Sequence, residues 1–211
     1  MTTKRNTHVG HIAVSVLAFL VGAVAYPFIP GDAIDHMRWA RAQIAFSLPT
    51  TILVIYLIFR SLWRHDRIRS GNGAFEATYH AIVFRTMLFV FAMNALLMLA
   101  LTDVMDVIGT HTWGKRVVVV MLGMTFIAIG NLLPRTRPNI AFGVRTERTL
   151  SNAQLWQRVH RVGGYTTVGL GAAILIGGIV VTNNTAGGFV LLASAIASAI
   201  VYVSYRKYAN A

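Results

Sequence analysis

The chain has no cysteine, which excludes disulfides, thiolate metal sites and cysteine nucleophiles and leaves the redox compartment open. Charge is scarce as well: only 12% of the 211 residues are Asp, Glu, Lys or Arg, against roughly 25% in ordinary soluble domains. Acid is scarcest, with 7 Asp and Glu set against 19 Lys and Arg. A proton relay or ion path normally shows a carboxylate deep inside an apolar segment. Here Asp103 and Asp106 come no deeper than the outer end of such a segment. Neither a Gly-x-Ser-x-Gly element nor a His-Glu-x-x-His pair occurs, so the nucleophile elbow and the helical zinc site of metalloproteases are excluded too.

What the chain does have is apolar surface: 55% hydrophobic residues and a mean hydropathy of +0.60. About six runs are long enough to cross a hydrocarbon core of ~30 Å. They extend approximately over His11–Ile29, Ala42–Trp63, His80–Leu101, Arg116–Leu133, Tyr165–Val181 and Ala186–Tyr205. Strands of a membrane barrel would be shorter and alternating, so helices are expected. The fold class is an all-α integral membrane protein with six transmembrane helices in one bundle. The last two runs are joined by "TNNTAGG", a turn-forming link that makes them an antiparallel hairpin. Lys4 and Arg5 ahead of an apolar run ending in "AVAY" also fit a signal peptide, but the length of the run favours a retained first span.

The formal net charge of +12 would suggest nucleic acid in a soluble protein. On a chain this apolar it reads instead as basic loops lying on an anionic leaflet. With an even number of spans, one side collects Lys4, Arg5, Arg60, Arg64, Arg67, Arg69, Arg135, Arg137, Arg145, Arg148, Arg158, Arg161, Arg206 and Lys207. The other side has Arg38, Arg41, Lys115 and Arg116, diluted by four aspartates. Both termini are therefore expected on the cytoplasmic side. Within the spans, Arg85 can snorkel to the interface. Small residues four apart, Ala18/Gly22 and Ala193/Ala197, suit close helix packing.

The densest cationic, turn-forming segment is "GNLLPRTRPNIAFGVRT", Gly130–Thr146, with two prolines, three arginines, two asparagines and no acid. Pro134 prevents simple continuation of the fourth span. Pro138 biases Arg137 toward extended backbone, and Gly143 permits a conformation that side chains disfavour. A short amphipathic helix is expected to follow, starting near Ser151 with Gln154 at capping-box spacing. Leu155, Trp156, Val159 and Val162 share one face, and Gly163–Gly164 form a hinge into the fifth span.

The run Gly130-Asn131, Pro134, Arg137-Pro138-Asn139, Gly143-Val144-Arg145-Thr146, Thr149-Leu150, Trp156, His160-Arg161 and Gly163-Gly164 resembles the signature loop of the SdpI family of multi-span bacterial membrane proteins. The resemblance spans roughly Met121 to the end. It implies a six-helix protein and, in the founding case, immunity to a secreted toxin peptide together with membrane capture of a transcriptional repressor. It divides the chain into an N-terminal three-helix half, 1–115, and an SdpI-like half, 116–211, with the signature loop at 130–164. Family members often read Arg-Thr-Pro-Trp-Thr-Leu where this chain has Arg145-Thr146-Glu147-Arg148-Thr149-Leu150, which removes an aromatic anchor. The external stretch "YPFIPGDAIDHMRW" is only a loose echo of the module often found ahead of the family domain.

Candidate site residues are Asn131, Pro134, Arg137, Pro138, Asn139, Gly143, Arg145, Thr146, Trp156, His160 and Arg161. Arg145, His160 and Arg161 can hold an anion, whether a lipid head group, a peptide carboxylate or an acidic surface of a regulator; the same residues can simply cap the bundle. Asn131 and Asn139 suit turns, and Trp156 suits the interface. His160 as a general base lacks a nucleophile, with Glu147 the only carboxylate nearby, so no enzymatic activity is expected. Asp32, Asp35, His36, Asp103, Asp106 and His111 read as hydrated loop residues before they read as metal ligands, and no cofactor is implied. The expected function is immunity to, or sensing of, a toxic or signalling peptide. A small transporter or a scaffold for a soluble transcriptional regulator are the alternatives.

Overall fold

The computed structural model describes residues 3–29, 40–70, 76–101, 113–180 and 186–210. Among these residues all regular structure is helical. The long helices are α1 (Thr3–Ala25), α2 (Ala40–Ser70), α3 (Glu76–Leu101) and α4 (Trp113–Gly130), and then, after the short α5 (Glu147–Ser151), α6 (Ala153–Val180) and α7 (Ala186–Ala209). Six of them are long and apolar enough to cross a membrane, over His8–Phe28, Arg41–His65, Glu76–Leu99, Arg116–Arg135, Ala153–Val180 and Val190–Ala209. These are the six runs expected from hydropathy. The protein is a multi-pass helical membrane protein.

The fifth crossing departs from expectation in one respect. α6 runs unbroken through Gly163–Gly164, so the amphipathic segment and the span form one helix of 28 residues. At 1.5 Å per residue it is ~42 Å long, more than the ~30 Å core requires. Its first turns carry Gln154, Gln157, Arg158 and Arg161 and organise the preceding loop. The expected cap at Ser151 is also displaced. Ser151 closes α5, its hydroxyl donating to the Glu147 carbonyl at 2.7 Å. Asn152 begins α6, its Oδ1 accepting from the amides of Gln154 and Leu155, each at 3.0 Å. Two good capping residues stand side by side, and the short helix before them decides which is used.

The residues group into two compact units, Met1–Phe59 with Thr86–Gly114 and Arg60–Arg85 with Lys115–Ala211. In the first unit, Ala18 is fully buried and Gly22 places the α1 backbone directly against the Ala45 carbonyl of α2, where any Cβ would collide. Pro49, inside α2, has no N–H to give that carbonyl. The missing side chain of one helix thus meets the missing donor of the other. Asn94 of α3 is buried beside them, donating at 3.4 Å to the Ala18 carbonyl.

In the second unit, α4 and α6 touch backbone to backbone in antiparallel register. A Cβ on Gly123 would stand 2.7 Å from the Gly171 carbonyl oxygen, and one on Gly171 would stand 2.6 Å from that of Gly123. Gly130 and Gly164 face each other in the same way, at 3.0 and 2.9 Å. Gly178 lies against Val119, at 2.8 Å. Gly164, Gly171 and Gly178 recur at the heptad interval, which keeps one edge of α6 facing one partner along its length. Close approach of this kind compensates for the weak hydrophobic drive between helices in lipid. Arg85 of α3 closes the end of α4, donating to the Ala128 carbonyl at 2.7 Å; its guanidinium caps a helix C-terminus instead of reaching outward.

Substituting Gly171→Leu should lower unfolding stability in detergent by ~1–3 kcal/mol, the usual cost of overpacking. Gly169→Ala, two residues away with nothing within 4 Å of the added atom, should be neutral or gain up to ~1 kcal/mol from helix propensity. Equal thermal unfolding of the two variants would contradict the seam.

Candidate functional site

The α4–α6 loop leaves the membrane helix through a 3-10 turn, Leu133–Arg135. The turn keeps the end of α4 hydrogen-bonded: Leu132 N–H donates to Ile129 at 2.9 Å, and Arg135 N–H donates to Leu132 at 3.0 Å. Pro134 supplies the fixed φ that such a turn uses. Its ring lies on Gly164, where a Cβ would come within 2.7 Å of both Cγ and Cδ. The predicted hinge glycine is therefore a seat for the predicted turn proline.

Beyond the turn, the loop is held by one stripe of α6. Trp156 is wholly buried, its Nε1–H donating to the Thr136 carbonyl at 3.1 Å. One turn further along, the His160 ring stacks on the indole, with centroids 3.8 Å apart and planes at 14°. His160 Nδ1 lies 2.9 Å from the Trp156 carbonyl, and Nε2 accepts the Val144 amide at 3.2 Å. A carbonyl can only accept and an amide can only donate, so the ring is the neutral Nδ1–H tautomer with both nitrogens occupied. It has no lone pair left for a substrate proton.

Gly143 makes room for this ring. Its φ is +103°, and a Cβ there would run into His160 Nε2. The other end of the Val144 peptide is also held, its carbonyl accepting from Thr149 Oγ1 at 2.7 Å. Thr149 is buried and completes a capping box with Thr146: the Thr146 hydroxyl accepts the Thr149 amide at 3.2 Å, and the Thr149 hydroxyl accepts the Thr146 amide at 2.9 Å. Glu147 sits in the first turn of α5, where a carboxylate suits the helix dipole. The Glu-Arg pair therefore keeps the turn that Pro-Trp would make. Arg148 takes up a different task, donating to the Ala209 carbonyl at the end of α7, at 3.2 Å.

Asn139, also buried, folds the middle of the loop. Its Oδ1 accepts from Ala141 and Phe142 at 2.9 and 3.0 Å, and its Nδ2 donates to the Arg137 carbonyl at 2.8 Å. This Asx arrangement aims Phe142 at Tyr79 of α3, with centroids 5.0 Å apart. Tyr79 in turn contacts Trp63 of α2, at 4.9 Å. Trp63, Tyr79, Thr136, Phe142 and Thr149 were not among the expected site residues. Of these, only Thr149 carried a signal in the sequence, as part of the family-like run through Thr149-Leu150.

The structure thus brings Pro134, Asn139, Gly143, Thr146, Trp156 and His160 together as the loop's internal frame. Trp156 is covered by protein, not set in the interface as expected, because the apolar face of early α6 lies under the loop. Asn131, Arg137, Arg145 and Arg161 are exposed, as are Arg135, Arg148 and Arg158. Arg145 spends one N–H on the Ile140 carbonyl and keeps the rest outward. Among the described residues no group of three His, Asp or Glu side chains is placed to hold a metal. The loop aspartates and His36 and His111 weighed as ligands lie outside the described residues.

The fold and this site define a class: a multi-span helical membrane protein whose fourth and fifth spans are joined by a folded, hydrogen-bonded cap bearing arginines. Within that class the sequence is specific. Residues 135–206, from the last residue of the 3-10 turn through most of α7, match the family model of the SdpI/YfhL protein family, and this part of the chain is similar to that family. The match begins after Gly130, Asn131 and Pro134. No curated protein and no solved structure matches the chain.

Combining Gly143→Ala with His160→Ala should be strongly non-additive. Alone, Gly143→Ala carries the positive-φ penalty of ~1–2 kcal/mol plus the loss of the displaced imidazole's hydrogen bonds, ~1–3 kcal/mol. With His160 already removed, only the first remains. Arg137→Gln and Arg161→Gln, on exposed side chains, should stay within ~0.5 kcal/mol. Denaturation of the five purified variants checks this, and simple additivity of the first pair would contradict the packing described.

Proposed function

We propose that this protein is an SdpI-like immunity or sensing protein of the bacterial inner membrane that binds a toxic or signalling peptide. Both termini and the α4–α6 cap lie in the cytoplasm, where the exposed arginines meet an anionic group of a soluble regulator or of the lipid surface. The observation that carries this reading is how the cap divides its side chains. Both ring nitrogens of His160 are committed to backbone groups, whereas six arginines are exposed around the frame. A frame of that kind suits recognition, since guanidinium groups held in place lose less freedom on pairing with a carboxylate or phosphate. The positive-inside pattern supports the orientation, and the family match supports the membrane setting.

The test is survival of a sensitive strain expressing the protein and challenged with the small secreted peptide encoded beside it. Protection is expected, and it should persist in His160→Gln if the cap folds. No protection from any co-encoded peptide would overturn the immunity reading. Neutralising Arg145, Arg148 and Arg161 together should weaken co-purification of a co-encoded regulator by roughly 100-fold, at about one surface cation's contribution each. Unchanged co-purification would remove the regulator from the account.

A further inference from the structure

Beside the cap, within the second unit, a cleft of about 460 Å³ opens between α4, α6 and α7. Leu170, Ala197 and Val201 form its walls, with Ser194, Ser198 and Tyr205 along its α7 edge. The small hydroxyls do not make it a polar site. Ser198 gives its proton to the Ser194 carbonyl at 2.8 Å, and Thr167 gives its proton to Gly163 at 2.7 Å. These two hydroxyls are thereby satisfied by carbonyls of their own helices, and the cleft surface is mainly apolar.

Val144 and Tyr205 line one end of the cleft, and cations flank that end. Arg145 and Arg206 follow those two residues directly and are exposed, as is Lys207. The Arg148 guanidinium is bound at Ala209, at the same end of α7. Glu147 is the only carboxylate side chain between residues 115 and 211. From Tyr205 to Ser194 the cleft follows α7 for ~16 Å at the helical rise, which is about half of a ~30 Å hydrocarbon core, or one leaflet. An apolar channel one leaflet deep with cations at its mouth matches one kind of molecule in both respects. We propose that it holds an acyl chain of an anionic phospholipid, with the phosphate against Arg145 and Arg206.

This rests on the cationic-cap part of the proposed function and not on peptide immunity. Lipid retention is read on purified protein and protection in cells, so either can fail alone. The test is native mass spectrometry of the full chain in detergent, equilibrated with equal phosphatidylglycerol and phosphatidylcholine of identical chains. The wild type should carry one phosphatidylglycerol in preference, and excess inorganic phosphate should not displace it. Ser198→Phe, which fills the cleft from an exposed position, should lower occupancy by about tenfold or more, as if about two methylenes were no longer buried. Arg145→Gln and Arg206→Gln should each reduce the preference for phosphatidylglycerol about fivefold. If Ser198→Phe fails to fold, Ala197→Leu replaces it. Equal retention of the two lipids, displacement by phosphate, unchanged occupancy in the filled variant, or an apolar peptide bound in place of lipid would each overturn the proposal.

Discussion

The second unit depends on backbone contact between α4 and α6. In lipid, apolar side chains gain little by moving from acyl chains to one another, so two helices hold together best where their backbones can touch. Gly123 against Gly171 and Gly130 against Gly164 provide that contact. The contact also fixes register. Once Gly164 is opposite the end of α4, Pro134 has one place to sit, and the loop must leave the membrane across the first turns of α6.

Those turns carry a single stripe at four-residue intervals, Trp156, His160 and Gly164, and each member receives a different part of the loop. Gly164 takes the proline ring, Trp156 takes Thr136, and His160 takes the Val144 amide. The stripe continues into the membrane as Gly171 and Gly178, so packing in the bilayer and folding of the loop are organised by one edge of one helix. The chemistry changes along it because the surroundings do. Hydrogen-bonding rings serve where the loop backbone needs partners, and glycines serve where a neighbouring helix already satisfies its own. The arginines are left on the outer side of the loop by exclusion, since the inner side is occupied by backbone contacts.

Much of this is legible in the sequence. The six runs follow from hydropathy, the turn from Pro134, Asn139 and Gly143, and the family from the order of residue types across the loop. Other features are not legible, for identifiable reasons. An apolar face containing Leu155, Trp156 and Val159 looks the same whether lipid or protein covers it, so Trp156 reads as an interface anchor although it is buried. Paired glycines usually weaken a helix, so Gly163–Gly164 reads as a hinge. The compensating contact of Gly164 with Pro134 is long-range and has no local signal. The heptad of glycines in α6 is visible once sought, but a search at four-residue spacing passes over it. Trp63 and Tyr79 carry no pattern that links them to Phe142.

The central claim is that the cap is a preformed frame, held by the neutral His160 ring, and not a mobile basic linker. Hydrogen exchange at the Val144 amide tests it most directly, because His160 Nε2 is the acceptor of that N–H. Exchange should be slow in the wild type and should accelerate in His160→Ala while the amides in the middle of α4 and α6 keep their protection. A Val144 amide that exchanges in the wild type as fast as in an unstructured peptide would contradict the account.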